Sequence, residues 1–295
     1  MTEKRALITG INGFTGNYVG EELESSGFVV YGIGAVASDL PRYFQVDLLD
    51  KAQLSQVLNE IQPSVVVHLA AIAFVGHGDV DDFYQVNLIG TRNLLDALAQ
   101  NVKELDAVLL TSSANIYGNS TEGVLAENMP PNPANDYAVS KLAMEYMAKL
   151  WLNKLPIFIV RPFNYTGVGQ SEDFLLPKIV AHFRRHEPYI ELGNLDVWRD
   201  FSDVRVVAQA YRRLIEIKPT GQIFNICSGK TYSLREVLAI VENISGQKME
   251  VRINPAFVRK NDVKTLCGDP TRLRSLLGEW VVPSLEDTLR WMLTA

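Results

Sequence analysis

Two segments of this 295-residue chain carry side chains that can handle a proton. In YAVSK, Tyr137 and Lys141 stand four residues apart, which places them on one face of a helix, one turn from each other. An ammonium near a phenol favours the phenolate, because opposite charge stabilises the ionised form. A tyrosine tuned in that way gives or takes a proton near neutral pH. Upstream, TSSANIYG (111–118) reads as a strand running into a turn, with serine hydroxyls at 112 and 113 followed by Ala114 and Asn115. Neither of those last two residues titrates, so the segment offers hydrogen bonds and no base. A tyrosine and a lysine at this spacing are equally at home on a solvated helix, so their surroundings decide the reading.

A third segment supplies part of those surroundings. TGINGFTG (9–16) has glycines at 10, 13 and 16, straight after an apolar run. Glycine there permits a tight turn and lets a pyrophosphate approach the backbone, while the helix that follows points its first N–H groups at the phosphate. The spacing is G-x-x-G-x-x-G, and glycines also mark ordinary strand-to-helix turns; the position after the first strand favours dinucleotide binding. A carboxylate that grips the adenosine ribose is expected near residue 34, where this chain has Gly34. Arg42, the nearest arginine for a 2′-phosphate, lies further on. Asp47 is a candidate acceptor for the adenine amino group, or equally a cap or turn residue.

The elements that must position these groups follow from hydrophobic pattern. Arg5–Thr9, Phe28–Ile33, Phe44–Val46, Val65–Ala70, Ala107–Thr111 and Ile157–Arg161 read as strands, several of them continuous apolar runs. Between them, Tyr18–Ser25, a segment capped by Asp50 with Leu54, Val57, Leu58 and Ile61 on one face, Tyr84–Gln100, and a stretch from near Tyr137 read as helices. Pro63 ends the second. This alternation predicts an α/β fold, a doubly wound parallel sheet with helices on both faces. The second half is interrupted by Pro162, Pro177, Pro188 and Pro219, and Gln222–Ile226 stands as an isolated strand. The expected division is residues 1–165 as a dinucleotide-binding domain and 166–295 as a smaller α/β substrate domain, partly interleaved with the first.

Composition narrows the partners. Net charge is −6, hydrophobic residues make up 47% and charged residues 21%. These values argue against nucleic acid and acidic membranes. The start, MTEKRALITG, enters a strand-like run without a secretory apolar segment, and no stretch holds 18 uninterrupted apolar residues. Cys227 and Cys267 have no metal-binding spacing and read as two buried thiols, so the expected compartment is the cytoplasm. His68, His77, His182 and His186 are scattered; no metal is expected, and His68 within VVVHLA reads as a satisfied core residue.

Together TGINGFTG, DLLD, HLAA, NLIGT, SSANIYG, YAVSK and RPFN resemble, nearly end to end, the extended short-chain dehydrogenases/reductases that act on nucleotide sugars. The resemblance implies a Rossmann-type fold, NADP or NAD as cofactor, and a triad of Ser113, Tyr137 and Lys141. In it Ser113 bonds the sugar oxygen, Tyr137 moves the proton, and Lys141 lowers the tyrosine's pKa and holds the nicotinamide ribose. Cofactor contacts carry over to Gly10, Asn12, Gly13, Phe14, Gly16, Asp47, Leu48, Leu69, Ala70, Ala71, Asn87, Thr111, Arg161 and Phe163. Asn87 is read as a proton-relay position or as a brace for the backbone. RPFNYTGVGQ, GNLDVWRDFSDV, NICSG and DVKTLCGDPTRLRSLLGEW resemble the branch handling GDP-mannose derivatives. That implies substrate contacts at Asn164, Lys178, Leu192, Asn194, Arg199 and Arg259. Arginine pairs bidentately with phosphate oxygens. Arg199 in WRDF has a structural alternative, an ion pair with Asp200 or Asp203, and Arg259 is followed by Lys260 where the family commonly has proline. The resemblance also implies a homodimer through a four-helix bundle of the helices near 84–100 and 137–153.

Ala114 and Asn115 then separate the possible activities. A 4,6-dehydratase needs an acid and a base beside the sugar to eliminate water, and in such members acids follow the active-site hydroxyl. The expected reaction is therefore reduction of the C4 ketone of GDP-4-keto-6-deoxy-D-mannose, giving GDP-D-rhamnose or its C4 epimer GDP-6-deoxy-talose. A nucleotide-sugar 4-epimerase is the alternative; a 4,6-dehydratase and a non-catalytic dinucleotide sensor rank below it.

Overall fold

Strand-forming runs of Val, Ile and Leu, bounded by turns, set the first layer of the molecule. The computed structural model describes residues 3–73, 79–118, 123–257 and 264–295. By compactness the chain divides into two units. The first is Met1–Gly118, Pro131–Arg161 and Ala208–Phe224; the second is Asn119–Pro130, Pro162–Val207 and Asn225–Ala295. The chain returns to the first unit after leaving it.

In the first unit, β1 (Arg5–Thr9), β2 (Val29–Gly34), β3 (Tyr43–Gln45), β4 (Val65–His68) and β5 (Ala107–Thr111) join Ile157–Pro162 and Ile223–Ile226 in a seven-stranded sheet. Its order is 223–226, 157–162, β5, β4, β1, β2, β3. β1 pairs in parallel with β2 on one side and with β4 on the other, Thr9 lying opposite Ile33 and His68. The chain thus winds outward both ways from β1, a Rossmann-like doubly wound sheet. Its switch point lies beyond the carboxyl ends of β1 and β4, where such sheets hold ligands. Val65–His68 is buried at every residue, as a strand covered on both faces must be.

The helices are α1 (Phe14–Ser25), α2 (Lys51–Ile61), α3 (Val80–Tyr84), α4 (Thr91–Asn101), α5 (Asp136–Lys149) and, from Ala208 on, the helix Val204–Ile217. Asp50 caps α2, accepting from the N–H groups of Ala52 and Gln53, and Leu54, Val57, Leu58 and Ile61 are its buried face. Gln62 ends it in the left-handed region (φ 46°), ahead of Pro63. Four expectations change. α1 starts at Phe14 rather than Tyr18, because Gly13 is already its N-cap and the glycine turn feeds straight into the helix. β4 stops at His68 rather than Ala70, because the Leu69 N–H turns to the Thr9 carbonyl (3.2 Å) and the Ala70 N–H to Thr9 Oγ1 (3.0 Å). The helix read over 84–100 is α3 and α4 joined by a π-helical turn, Gln85–Gly90. The segment 222–226 is also not isolated, since Ile223–Ile226 forms the edge of the main sheet.

In the second unit, Trp198–Asp203 is the central strand. It pairs antiparallel with Thr231–Ser233, and in parallel with Thr265–Gly268 and with Asn164–Thr166. Val124–Leu125 completes this sheet beside Thr265–Gly268. Tyr189–Leu192 and Glu250–Ile253 form a separate parallel pair. Helices Leu175–Arg184, Leu234–Ser245 and Leu285–Thr294 pack around Ile179, Phe183, Val237, Val241 and Leu289, all at most 2% exposed. Among the described residues no helix is long and apolar enough to cross a membrane.

Candidate active site

The fold brings the proton-handling residues to the carboxyl end of β5. Ser113 follows the strand in extended conformation (φ −158°) and caps the short 3₁₀ turn Ala114–Tyr117, its Oγ accepting from the Asn115 N–H at 3.1 Å. That leaves the hydroxyl proton and a second lone pair for another group. Ala114 is buried behind it. Tyr137 opens α5, which Asn135 caps by accepting from the Ala138 N–H at 2.9 Å. The Tyr137 ring meets the Phe83 ring edge-on at 6.0 Å. One turn on, the buried Lys141 donates from Nζ to the Thr111 carbonyl at 2.8 Å, which ties α5 to the end of β5. Burial lowers the Lys141 ammonium to about 8, against an opposing pull from the Glu145 carboxylate. A lysine so placed still carries its charge at neutral pH.

Glu145 was not legible as part of this site. It lies a further turn along α5, buried, and receives Arg161 through two bonds, Nε to Oε1 at 2.9 Å and Nη2 to Oε2 at 2.7 Å. Arg161 Nη1 also donates to the Tyr117 hydroxyl at 2.9 Å. The Arg161 guanidinium, expected at the cofactor, is therefore engaged inside the protein, because a buried arginine needs a paired carboxylate. Asn87 fills its bracing role. Its Nδ2 donates to the Ile72 carbonyl and Ser140 Oγ, both at 3.1 Å, and its Oδ1 accepts from the Ile72 N–H at 2.9 Å. His68 is the satisfied core residue expected, with Nδ1 on Thr9 Oγ1 and Nε2 on Thr91 Oγ1, each at 2.7 Å. Burial holds its pKa down near 3, with the Lys141 charge adding to the effect. His77 lies outside the described residues.

At the switch point the glycines are demanded by space. Gly10 has φ +72°, and a Cβ there would lie 2.9 Å from the Ala70 nitrogen. A Cβ on Gly16 would lie 2.4 Å from the Gly10 carbonyl oxygen. Gly13 caps α1 without a side-chain hydrogen bond. Leu69, Ala70 and Ala71 are half-buried just past β4. Thr111 Oγ1 and Ser112 Oγ are buried without a hydrogen-bond partner among the described residues. A close-approach cradle at a helix N-terminus and two buried hydroxyls awaiting partners fit a dinucleotide. Gly34 ends β2, and no carboxylate stands there. Arg42 donates to the Val30 carbonyl (2.9 Å) and pairs with Glu24 (3.1 Å). Asp47 Oδ1 accepts from the Leu49 N–H at 2.9 Å, the turn role, while Leu48 is buried and its carbonyl accepts from Asn93. Phe14 packs edge-on against Tyr18.

The second unit holds the residues expected to meet the nucleotide sugar. Asn164 donates to the Asp200 carbonyl at 3.3 Å, Lys178 Nζ donates to the Glu191 carbonyl at 2.9 Å, and Asn194 Oδ1 accepts from the Asp196 N–H. Arg199 Nη1 donates to the Trp198 carbonyl at 2.9 Å. The two carboxylates offered as its structural partners have other roles. Asp200 accepts from the Ser228 N–H and hydroxyl and from the N–H groups of Gly229 and Gly268, and Asp203 holds Arg205 and Thr288. The Leu192 side chain lies in the unit's apolar core and its carbonyl accepts from the Asn254 N–H. Phe163 is likewise buried, and Arg259 falls outside the described residues. Neither cysteine forms a disulfide; Cys267 is buried, whereas Cys227 is only half-buried.

The model of the family described as GDP-mannose 4,6 dehydratase matches residues 7–292. The chain is 37% identical to the GDP-6-deoxy-D-talose 4-dehydrogenase of Aggregatibacter actinomycetemcomitans, covering 93% of this chain and 91% of that protein. It is 32% identical to the GDP-6-deoxy-D-mannose reductase of Pseudomonas aeruginosa, covering 99% and 96%. Among solved structures, a candidate epimerase from Burkholderia cenocepacia J2315 matches with TM-score 0.93 and 52% identity, covering 99% of this chain and 97% of that one. RMD from Pseudomonas aeruginosa, complexed with NADPH, matches with TM-score 0.86 and 30% identity, covering 99% and 98%.

Proposed function

The chain belongs to the GDP-mannose 4,6-dehydratase family, enzymes of the short-chain dehydrogenase/reductase type, and on that premise we propose that it reduces the C4 ketone of GDP-4-keto-6-deoxy-D-mannose. The cofactor is a nicotinamide dinucleotide, NADPH or NADH, carried by the turn Gly10–Gly16, by Leu69–Ala71 and by Thr111. One observation carries the reading. The redox groups Ser113, Tyr137 and Lys141 are present, with Lys141 fixed on the Thr111 carbonyl, while the two residues after Ser113 are Ala114 and Asn115. A family member built this way has the groups for the proton transfer that accompanies hydride delivery and lacks a base there for eliminating water.

When bound, the dinucleotide supplies the hydride for C4. The protein's own residues do the rest. Ser113 holds the ketone oxygen with its free hydroxyl proton. Tyr137 gives its phenolic proton to that oxygen as negative charge develops on it. Lys141, charged at neutral pH, stabilises the phenolate left behind and holds the nicotinamide ribose. Arg199, Asn164 and Lys178 carry the donors suited to the GDP portion. Which face of the ketone is reduced sets the product, GDP-D-rhamnose or GDP-6-deoxy-D-talose; the higher identity to the Aggregatibacter enzyme favours the talose product as second reading. A 4-epimerase is the remaining alternative, favoured by the likeness to the Burkholderia protein.

The test is a coupled assay. A separate 4,6-dehydratase generates the ketone, loss of NADPH or NADH is followed by absorbance, and NMR assigns the C4 configuration. Cofactor consumption with a single C4 epimer supports reduction and names the sugar. No consumption, with NAD retained by the purified protein, would replace this reading with the epimerase.

A further inference from the structure

The residue at the end of β2 matters because a carboxylate there grips the adenosine ribose and repels a 2′-phosphate. Gly34 holds that place, and the space a side chain would need is taken. A Cβ on Gly34 would lie 2.8 Å from Tyr43 Oη and 3.7 Å from its Cζ. Tyr43 comes from the adjacent strand, two residues out of register with Gly34, and its ring also flanks Gly32, where a Cβ would lie 3.2 Å from Cδ2. The phenol is bonded on several sides. Its one proton is shared between the Gly34 carbonyl at 2.9 Å and the Val36 carbonyl, and the Asn12 side chain of the glycine turn draws its pKa down against the larger upward effect of burial. One hydroxyl therefore ties β3 to the end of β2 and to the loop after it. The charged groups nearby do not replace it. Arg42 is held by Val30 and Glu24, and Asp39, exposed, is five positions beyond Gly34.

We infer that Tyr43 determines dinucleotide specificity: its phenol occupies the carboxylate position at Gly34 and leaves that end of the site uncharged, so NAD and NADP bind with comparable affinity. The inference rests on reading the first unit as dinucleotide-binding, and does not depend on the sugar. With no carboxylate to repel a 2′-phosphate and no unpaired arginine at that position to attract it, neither cofactor gains a charge-based advantage. Gly34 and Tyr43 form a coupled pair. An aspartate at 34 requires Tyr43 to move, and removing Tyr43 alone leaves no charge behind.

The experiment is calorimetric titration of the full-length protein with NAD, NADP, 5′-ADP and 2′,5′-ADP, without any sugar. For the wild type the NAD and NADP affinities should agree within about tenfold, and the two fragments likewise. Gly34→Asp together with Tyr43→Ala should favour NAD by about 100-fold, since a carboxylate then faces the 2′-phosphate. Tyr43→Phe keeps the ring and loses the clamp; it should weaken both dinucleotides together by about threefold to tenfold. A wild-type preference beyond about 100-fold would overturn the inference, because some other group would then read the 2′ position. So would a folded double variant, checked by circular dichroism, with an unchanged ratio. Failure to bind either dinucleotide would overturn it together with the dinucleotide reading. Normal binding without turnover of the sugar ketone would overturn only the proposed reduction.

Discussion

In the proposed reduction Tyr137 needs a charged neighbour to act near neutral pH, and Lys141, one turn along α5, is the residue assigned to that role. Tyr137→Phe removes the transferable proton and leaves the ring against Phe83. It is expected to lower kcat by about 100-fold or more while dinucleotide affinity, read by calorimetry, stays unchanged. The Lys141 value of about 8 fixes the sign of a pH effect. Reduction requires the lysine charged, so kcat/KM should fall as pH rises through about 8. Glu145 pulls that value upward, so Glu145→Gln should shift the falling limb to lower pH; an unmoved limb would remove Glu145 from the electrostatics of the site. The same change leaves Arg161 buried with a neutral partner and should destabilise the fold by about 3–5 kcal/mol. His68 acts on stability. Its folded pKa near 3 lies below the unfolded value of 6.5, so the unfolded chain binds the proton first. Stability should therefore decline as pH falls from 6.5 towards 3, and thermal unfolding of His68→Gln should be flatter across that window.

At the scale of elements, the glycine turn and the π-helical turn carry the most. Gly16 lets α1 begin within touching distance of the Gly10 carbonyl, so Gly16→Ala must displace either the helix or the turn. It should cost about 1–3 kcal/mol in chemical denaturation and reduce dinucleotide binding more than about tenfold. A variant that binds normally would show that the turn tolerates displacement and that the cradle is formed elsewhere. The π turn at Gln85–Gly90 aims Asn87 inward, onto Ile72 and Ser140, and so ties the loop after β4 to α5. Periodicity over 84–100 predicts a helix; it contains no sign of one extra residue in a turn, because that distortion is settled by what Asn87 and Gly90 pack against. Gly90 abuts Leu48, where a Cβ would come within 3.0 Å.

For the molecule as a whole, the outer faces of α5 and of the π-helical turn before α4 bear on assembly. Ile89, Val139, Tyr146 and Leu150 are exposed, Leu150 by 77%. Val139, Tyr146 and Leu150 recur at helical spacing along α5 and its C-terminal end. A homodimer formed by these helices, the arrangement implied by the resemblance, would cover them. Tyr146→Glu combined with Leu150→Glu should convert a dimer to a monomer by light scattering, with little change in circular dichroism. Monomeric wild-type protein at micromolar concentration would overturn the dimer.

Much of this protein is decided by local chemistry. Alternating apolar runs, the Asp50 cap with its one-sided helix, three glycines after β1 and the Tyr137–Lys141 spacing each follow from backbone sterics and side-chain period. They point to a doubly wound sheet with a dinucleotide turn and a proton-transfer pair before any packing is known. What packing alone decided involves partners far apart in sequence. Ile223–Ile226 joins a sheet whose neighbouring strand lies more than 60 residues earlier, and no local pattern encodes that pairing. Arg161 meets Glu145 and Tyr117, and Leu192 an apolar core, because burial demands a partner for a charge and apolar company for a methyl group. The residue filling the place of the missing carboxylate at Gly34 is Tyr43, set there by the pairing of β2 with β3. Sequence named the candidate groups; tertiary structure chose the partners that each of them meets inside the protein.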